Sequence, residues 1–238
     1  MDLKCVLLVS GGLDSYIGYH YLKKDGYKVK PLFVNYGGKY SEKEKVVVQK
    51  LFPDLIIDNC LNFYGEDSGE KAFIKNRNAY LALVASKYSN AICMAGLKDD
   101  NVGDKSPEAF VKMSALLTEI NNDTKYGYIV FSPFWRKTKA DILHWYLSAG
   151  LSVTNLLMTT SCYHPTATYC GECPACFRRY CAFVSNGITN FIPIFRNLKL
   201  AEEYFNKKDS YDAERSESIK KACAELGLGW GYYERYIF

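Results

Sequence analysis

Two short segments carry residues whose types and spacing could do chemistry. The first is Ser10-Gly11-Gly12-Leu13-Asp14-Ser15. Paired glycines let a backbone turn sharply and approach a ligand closely. A helix behind such a turn aims its N–H groups and the positive end of its dipole at whatever sits there. Ser10 and Ser15 add hydroxyl donors, so the segment reads as a cradle for an anion, phosphate above all. It lacks the lysine of G-x-x-x-x-G-K-[ST] and does not follow G-x-G-x-x-G. An acid beside a phosphate, Asp14, makes sense if it faces Mg²⁺ or caps the loop. The plainer reading is an ordinary glycine turn; the serines and the aspartate around it favour phosphate.

The second segment holds Cys162, Cys170, Cys173 and Cys176. C-x-x-C spacing lets two sulfurs of one turn face one ion, and a fourth from upstream closes a tetrahedron, the pattern of structural Zn²⁺. A full thiolate shell leaves no position for water, so the expected role is structural. An iron–sulfur cluster is the rival, although the run C-x2-C-x2-C-x3-C-P differs in its last spacing. His164 could replace a cysteine, but a lone histidine is more often solvated. The chain has nine cysteines. Their clustering, with no export signal ahead of them, argues for a cytoplasmic metal site plus unrelated buried thiols rather than a secreted disulfide scaffold.

These segments must be positioned by regular elements. Cys5 to Val9 is a continuous apolar run, right for a strand buried on both faces. Val29 to Val34, Leu55 to Ile57, Ala91 to Ala95 and Tyr128 to Phe131 are four more strands. Between them, Leu13, Ile17, Tyr21 and Leu22 follow helical spacing up to Gly26. Ser41 and Glu44 read as an S-x-x-E capping box opening a helix through Leu51. Asn76 or Asn78 caps a helix running to about Tyr88. Ser106-Pro107 opens another, to about Ile120. Thr138 and Asp141 cap one that Gly150 stops. This alternation predicts the α/β class, a doubly wound parallel sheet with helices on both faces. Ligands of such sheets lie beyond the carboxyl ends of the strands, here the loops 10–15, 35–41, 96–106 and 132–138. The pattern changes near residue 158. The expected division is a nucleotide-binding α/β domain, 1–158, and a zinc segment with a helical C-terminal region, 159–238.

The chain is 48% hydrophobic and 24% charged, which excludes a disordered or coiled-coil protein. Its longest apolar run, Ala79 to Ala85, is far short of the roughly 20 residues of a membrane helix. A net charge of +4 is too mild to demand nucleic acid as a partner. Lys39, Arg77, Lys98, Lys105, Arg136 and Lys139 fall at or near the ligand-side loops, where some would neutralise phosphate or a carboxylate; others are expected to be solvated surface. The cluster Tyr232, Tyr233, Arg235 and Tyr236 reads as a docking surface, a homodimer being one expected use.

The S-G-G-x-D-S loop resembles that of the PP-loop ATP pyrophosphatases, which adenylate a substrate and release pyrophosphate. The second segment narrows the resemblance: Ser161-Cys162-Tyr163, Cys170-Gly171-Glu172-Cys173-Pro174-Ala175-Cys176 and Arg178 are similar to the zinc segment of the 7-cyano-7-deazaguanine synthases. Asn35-Tyr36-Gly37 is similar to that family's D-Y-G, Arg77-Asn78 to the end of its F-V-P-G-R-N beginning here at Phe73, and Ser132-Pro133-Phe134-Trp135 with Lys139-Ala140-Asp141 to its T-P-L-M-W and K-A-E. The order holds over about residues 4–182. Its Asp is Asn35 here, its Q-R-H is Gly38-Lys39-Tyr40, and its S-G-Y-P-D-C-R loop has only the shorter 101–108 in its place.

The resemblance implies an adenine nucleotide alpha-hydrolase-like fold and a synthetase that adenylates a carboxylate, takes up ammonia, and makes an amide and then a nitrile. It implies ATP held by Ser10, Gly11, Gly12, Leu13, Asp14 and Ser15, with Mg²⁺ bridging the pyrophosphate, and Zn²⁺ on the four cysteines. Asp14, Ser15 and Arg77 would be the catalytic residues. A 7-deazapurine-like small molecule would lie among Tyr36, Lys39, Asn78, Asp100 and Trp135, with Phe134 a further wall. Two other readings stand beside it: a relative that adenylates RNA or protein, and a non-catalytic nucleotide-binding module.

Overall fold

The computed structural model describes residues 3–65, 74–98, 100, 102–123, 125–166, 168–190 and 192–228. Phe73, Asp99, Asn101 and the Tyr232–Tyr236 cluster lie outside the described residues. Five strands, β1 (Lys4–Leu8), β2 (Lys28–Val34), β3 (Ile56–Asp58), β4 (Ala91–Cys93) and β5 (Ile129–Phe131), form one parallel sheet in the order β3-β2-β1-β4-β5. The winding reverses at β1. The crevice between β1 and β4, at their carboxyl ends, is therefore where such a sheet receives a ligand.

The central strands β1 and β4 and the second half of β2 are buried, as the apolar runs predict, while the edge strand β5 leaves Ile129 exposed. Val6, Leu32, Ile92 and Val130 share one cluster with Ala82, Val84 and Ala85 of helix α3 (Arg77–Ala85) and with Phe110 and Leu117 of α4 (Pro107–Ile120). Leu7 points to the opposite face, toward α1 (Leu13–Lys24). There a Cβ on Gly18 would already touch Phe134, Ala95 and Leu7, so the glycine lets the helix settle close to the sheet. Helix α2 (Ser41–Leu51) follows β2, and its buried face is Ser41, Val47, Val48 and Leu51.

By contacts the chain divides into two compact units, Met1–Arg136 with Met158–Thr160, and Lys137–Leu157 with Ser161–Phe238. This division differs from the line drawn at 158 from sequence in two helices, α5 (Lys139–Ser148) and α6 (Val153–Leu157). Helix α5 (Lys139–Ser148) belongs with the second unit, where it packs on α7 (Pro174–Ser185) and its Ala140 carbonyl accepts from Asn186 Nδ2 at 3.0 Å. The same unit holds α6 (Val153–Leu157), α8 (Leu198–Asn206) and α9 (Ala213–Glu225). Its central element is α7, with Phe177, Tyr180 and Phe183 at most 2% exposed. The buried Arg179 of this helix is satisfied by the Leu156 carbonyl at 2.8 Å and by the face of Phe183. No helix among the described residues is long and apolar enough to cross a membrane.

The helix starts show which local signals hold. Ser106 Oγ accepts from Ala109 N–H, and Thr138 with Asp141 closes a full capping box. The Ser41–Glu44 box does not form. Tyr40 occupies the cap position in a helical conformation, Ser41 is already the first helical residue, and the Glu44 N–H goes to the Tyr40 carbonyl at 2.9 Å. Asn76 does precede α3, but in the left-handed conformation with its side chain making no cap bond.

Candidate active site and metal centre

The phosphate loop leaves β1 through Val9, whose N–H still bonds the Leu32 carbonyl at 2.9 Å. Gly11 has φ +71°, and a Cβ there would stand 2.8 Å from Val47 Cγ1, so both the turn and the close approach of α2 require glycine. Gly12 takes the cap position of α1 in extended conformation with no side-chain cap. Leu13 is core. Asp14 lies in the first turn, where an acid is favoured by the dipole. Ser15 is buried, and its hydroxyl donates back to the Gly12 carbonyl at 3.1 Å, bracing the turn. Ser10, just past the end of the central strand β1, is exposed. One contact was not foreseen from sequence: Thr160 N–H donates to the Gly11 carbonyl at 2.8 Å.

The loop after β2 is knitted to the segment after β3. Asn35 Nδ2 donates to Asn59 Oδ1 at 3.0 Å, Phe63 N–H to the Tyr36 carbonyl at 2.7 Å, and the Tyr36 and Phe63 rings lie 6.2 Å apart. Lys39 Nζ sits 5.8 Å from the Tyr40 ring. Arg77 is the first residue of α3 and is partly exposed. Its charge acts on Glu44 of α2. Burial pushes the Glu44 carboxyl up to about 7, against the opposing pull of Arg77 and Lys43.

Asn78 is engaged within the protein. Its N–H and its Nδ2 both donate to the Asp104 carboxylate, each at 2.9 Å, so Asp104 caps the start of α3 from 26 residues away. Sequence spacing held no signal for that pair. Asp100 accepts from Leu97 N–H at 3.0 Å and pairs with Lys105 at 2.6 Å. Trp135 lies over Gly96, where any Cβ would overlap the indole, and meets Phe110 edge-on at 4.8 Å. Phe134, expected as a wall of the pocket, is instead fully buried against α1, its ring 5.1 Å from Tyr21. Alternating direction along the segment sends neighbouring aromatics to different surroundings.

In the second unit the sulfurs of Cys162, Cys170, Cys173 and Cys176 all lie within 4.8 Å of one another, close enough to hold one metal ion. Backbone N–H groups point at them: His164 and Cys170 at Cys162 (both 3.3 Å), Glu172 at Cys170 (3.4 Å), and Tyr163 and Cys176 at Cys173 (both 3.5 Å). The Cys176 thiol and these N–H groups hold Cys173 well below the ordinary thiol value. Arg178 donates to the Tyr163 hydroxyl at 3.0 Å, and the Gly171 carbonyl accepts from Arg196 N–H at 2.7 Å, tying the turn to the chain before α8. Elsewhere, burial pushes Cys5, Cys93, Cys181 and Cys223 upward, which leaves poor nucleophiles.

A family profile described as queuosine biosynthesis protein QueC matches residues 4–63 and 57–187. A 7-cyano-7-deazaguanine synthase of Archaeoglobus fulgidus is 31% identical, covering 92% of this chain and 100% of its own. Those of Pseudoalteromonas translucida and Pseudoalteromonas atlantica are 28% and 29% identical, covering 80% and 78% of this chain and 98% and 96% of theirs. A solved chain described as a "predicted subunit of tRNA methyltransferase" from Methanocaldococcus jannaschii overlaps at TM-score 0.42 and 14% identity, over 66% of this chain and 93% of that one. A likeness that loose carries no argument.

Proposed function

The chain belongs to the family of the queuosine biosynthesis protein QueC, and from that membership we propose that it is an ATP-dependent 7-cyano-7-deazaguanine synthase. The proposed reaction takes 7-carboxy-7-deazaguanine and ammonia to an amide and then to the nitrile, releasing AMP and pyrophosphate at each step. The observation that carries it is the place of Ser10–Ser15: a glycine turn ahead of α1, at the point where the sheet order reverses. Relatives named for this reaction along most of the chain favour it over an RNA- or protein-adenylating enzyme or a binding module.

The reading places the fold with the adenine nucleotide alpha-hydrolase-like sheets and the enzyme with the PP-loop pyrophosphatases that join C to N. Adenylation replaces a poor leaving oxygen with AMP. The turn at Gly11 and Gly12 receives the departing pyrophosphate, and the α1 dipole stabilises its charge. Mg²⁺, when bound at Asp14, would neutralise the phosphate oxygens. Arg77 pairs with the substrate carboxylate. Tyr36, Trp135 and Lys39 bound the base, while Asn78 and Asp100 shape the walls through Asp104 and Lys105. The four thiolates would hold Zn²⁺, which suits an all-sulfur tetrahedral set and supplies folding energy rather than chemistry. A cytoplasmic setting and a homodimer are parts of the same proposal.

The test is direct. The protein with ATP, Mg²⁺, ammonium and 7-carboxy-7-deazaguanine should yield the amide and the nitrile by mass spectrometry, with AMP and pyrophosphate. ADP and phosphate as products, or turnover of ATP with no change in that acid, refutes the reading.

A further inference from the structure

The first turn of α2 holds two polar side chains with no hydrogen-bond partner among the described residues. Ser41 is 2% exposed, and its hydroxyl has no hydrogen-bond partner among the described residues. Buried hydroxyls are normally paired, so an orphan in a helix that packs on the glycine turn points to something that arrives later. Glu44 lies three residues on, on the same helix face. Its carboxyl makes no hydrogen bond or ion pair with the described residues. One turn further, Val47 and Val48 lie against the phosphate loop at Gly11. The pair thus stands beside the loop, at the carboxyl edge of β2. Among the described residues, the charges that act on Glu44 are those of Arg77 of α3 and Lys43 of its own helix.

We propose that Ser41 and Glu44 receive the nitrogen nucleophile, and that Glu44 is the base that takes its proton. This rests on the reading above, in which Arg77 holds the carboxylate to be adenylated. Glu44, which feels the Arg77 charge, then sets the nucleophile on the side of the site where that carbon lies.

Ammonia reaches a neutral solution mostly as ammonium, which has no lone pair. An ammonium ion donates N–H to the Glu44 carboxylate and to Ser41 Oγ. One proton passes to Glu44. The freed lone pair forms the C–N bond, the C–O bond to AMP breaks, AMP leaves with that electron pair, and the surplus proton on nitrogen goes to water. In the second round the amide oxygen displaces pyrophosphate from ATP. Two protons then leave the same nitrogen as AMP departs and C≡N forms. Every proton removed on the way to the nitrile comes from one atom, so one base at one place serves both rounds. Burial and Arg77 together leave Glu44 poised near neutrality, suited to that exchange.

The experiment separates nucleophile activation from adenylation. Full-length Glu44→Gln and Ser41→Ala are compared with wild type in three assays: ATP–pyrophosphate exchange driven by 7-carboxy-7-deazaguanine, amide formed from ammonium chloride, and hydroxamate formed from hydroxylamine. Hydroxylamine is already neutral near pH 7 and needs no base. Glu44→Gln should lower amide formation about 10²-fold, with exchange and hydroxamate changed by no more than about threefold. Ser41→Ala should raise the KM for ammonium about tenfold, with melting temperature unchanged or higher, since the buried hydroxyl has no partner to lose. Equal losses in all three assays would show a structural role and overturn the proposal, as would amide formation that survives Glu44→Gln. A wild type with no exchange refutes the synthetase reading itself, and this inference with it.

Discussion

The phosphate loop and the thiolate turn each gather polar groups around a charge, but they keep their shape by different means. At Gly11 the geometry is built from the fold: a positive φ, a helix pressed to within 2.8 Å of where a Cβ would be, and a carbonyl held by Thr160 N–H. A ligand can come and go without altering it. Among the described residues between Ser161 and Cys173 there is no regular element, and the bonds are mostly N–H groups aimed at sulfur. Four thiolates within 4.8 Å repel one another unless a cation sits among them. On the proposed reading, the first site is shaped before its ligand binds, and the second would be shaped by its metal.

The sharpest way to break this contrast is to remove the metal. Cys173→Ser, or a strong chelator, should abolish zinc by elemental analysis and collapse the second unit. Structural thiolate sites contribute on the order of 10 kcal/mol of binding energy to folding. A well-folded, metal-free protein by circular dichroism would contradict it. At the other site, Gly11→Ala should fold but lose about 2 kcal/mol, from an L residue at φ +71° and the clash with Val47. Urea denaturation measures that, and pyrophosphate release should fall with it. Asp14→Asn sharpens the contrast by changing chemistry alone, while Ser15→Ala also removes the brace to the Gly12 carbonyl. Pyrophosphate release should drop by at least roughly tenfold with little change in melting temperature. Asp104→Ala, which uncaps α3, should cost about 1 kcal/mol and blur substrate KM more than kcat.

The smallest effect concerns Glu44. Its carboxyl keeps a proton in the folded protein up to about 7, whereas the unfolded chain releases it near 4.5. The unfolded state binds fewer protons across that window, so stability falls as pH rises through it. Glu44→Gln should flatten that slope in a series of thermal melts.

The sheet was legible because buried strands read as unbroken apolar runs, and both the Gly11-Gly12 turn and the C-x-x-C spacing are local patterns. Ser106 and Thr138 were legible as caps for the same reason: each partner lies three residues away. Ser41 and Glu44 show the same spacing and fail, because the chain enters α2 already helical at Tyr40 and the cap position falls one residue earlier. The partner of Asn78 and the burial of Phe134 depend on residues far away in sequence, where spacing says nothing. The membership of α5 in the second unit was hidden likewise, since a strand–helix alternation does not state which neighbours a helix will choose.

The segment between Gly96 and α4 is clamped at both feet. Leu97 N–H and Lys105 meet at Asp100, Asp104 is fixed to Asn78, and Ser106 caps the next helix. Between these clamps Val102 is exposed and a side chain on Gly103 would meet open space. Such a loop is an interchangeable part. On the proposed reading, insertions at Val102–Gly103 would leave the sheet and the glycine turn untouched, so that which acceptor is admitted could change while the ATP-binding turn stays under separate selection.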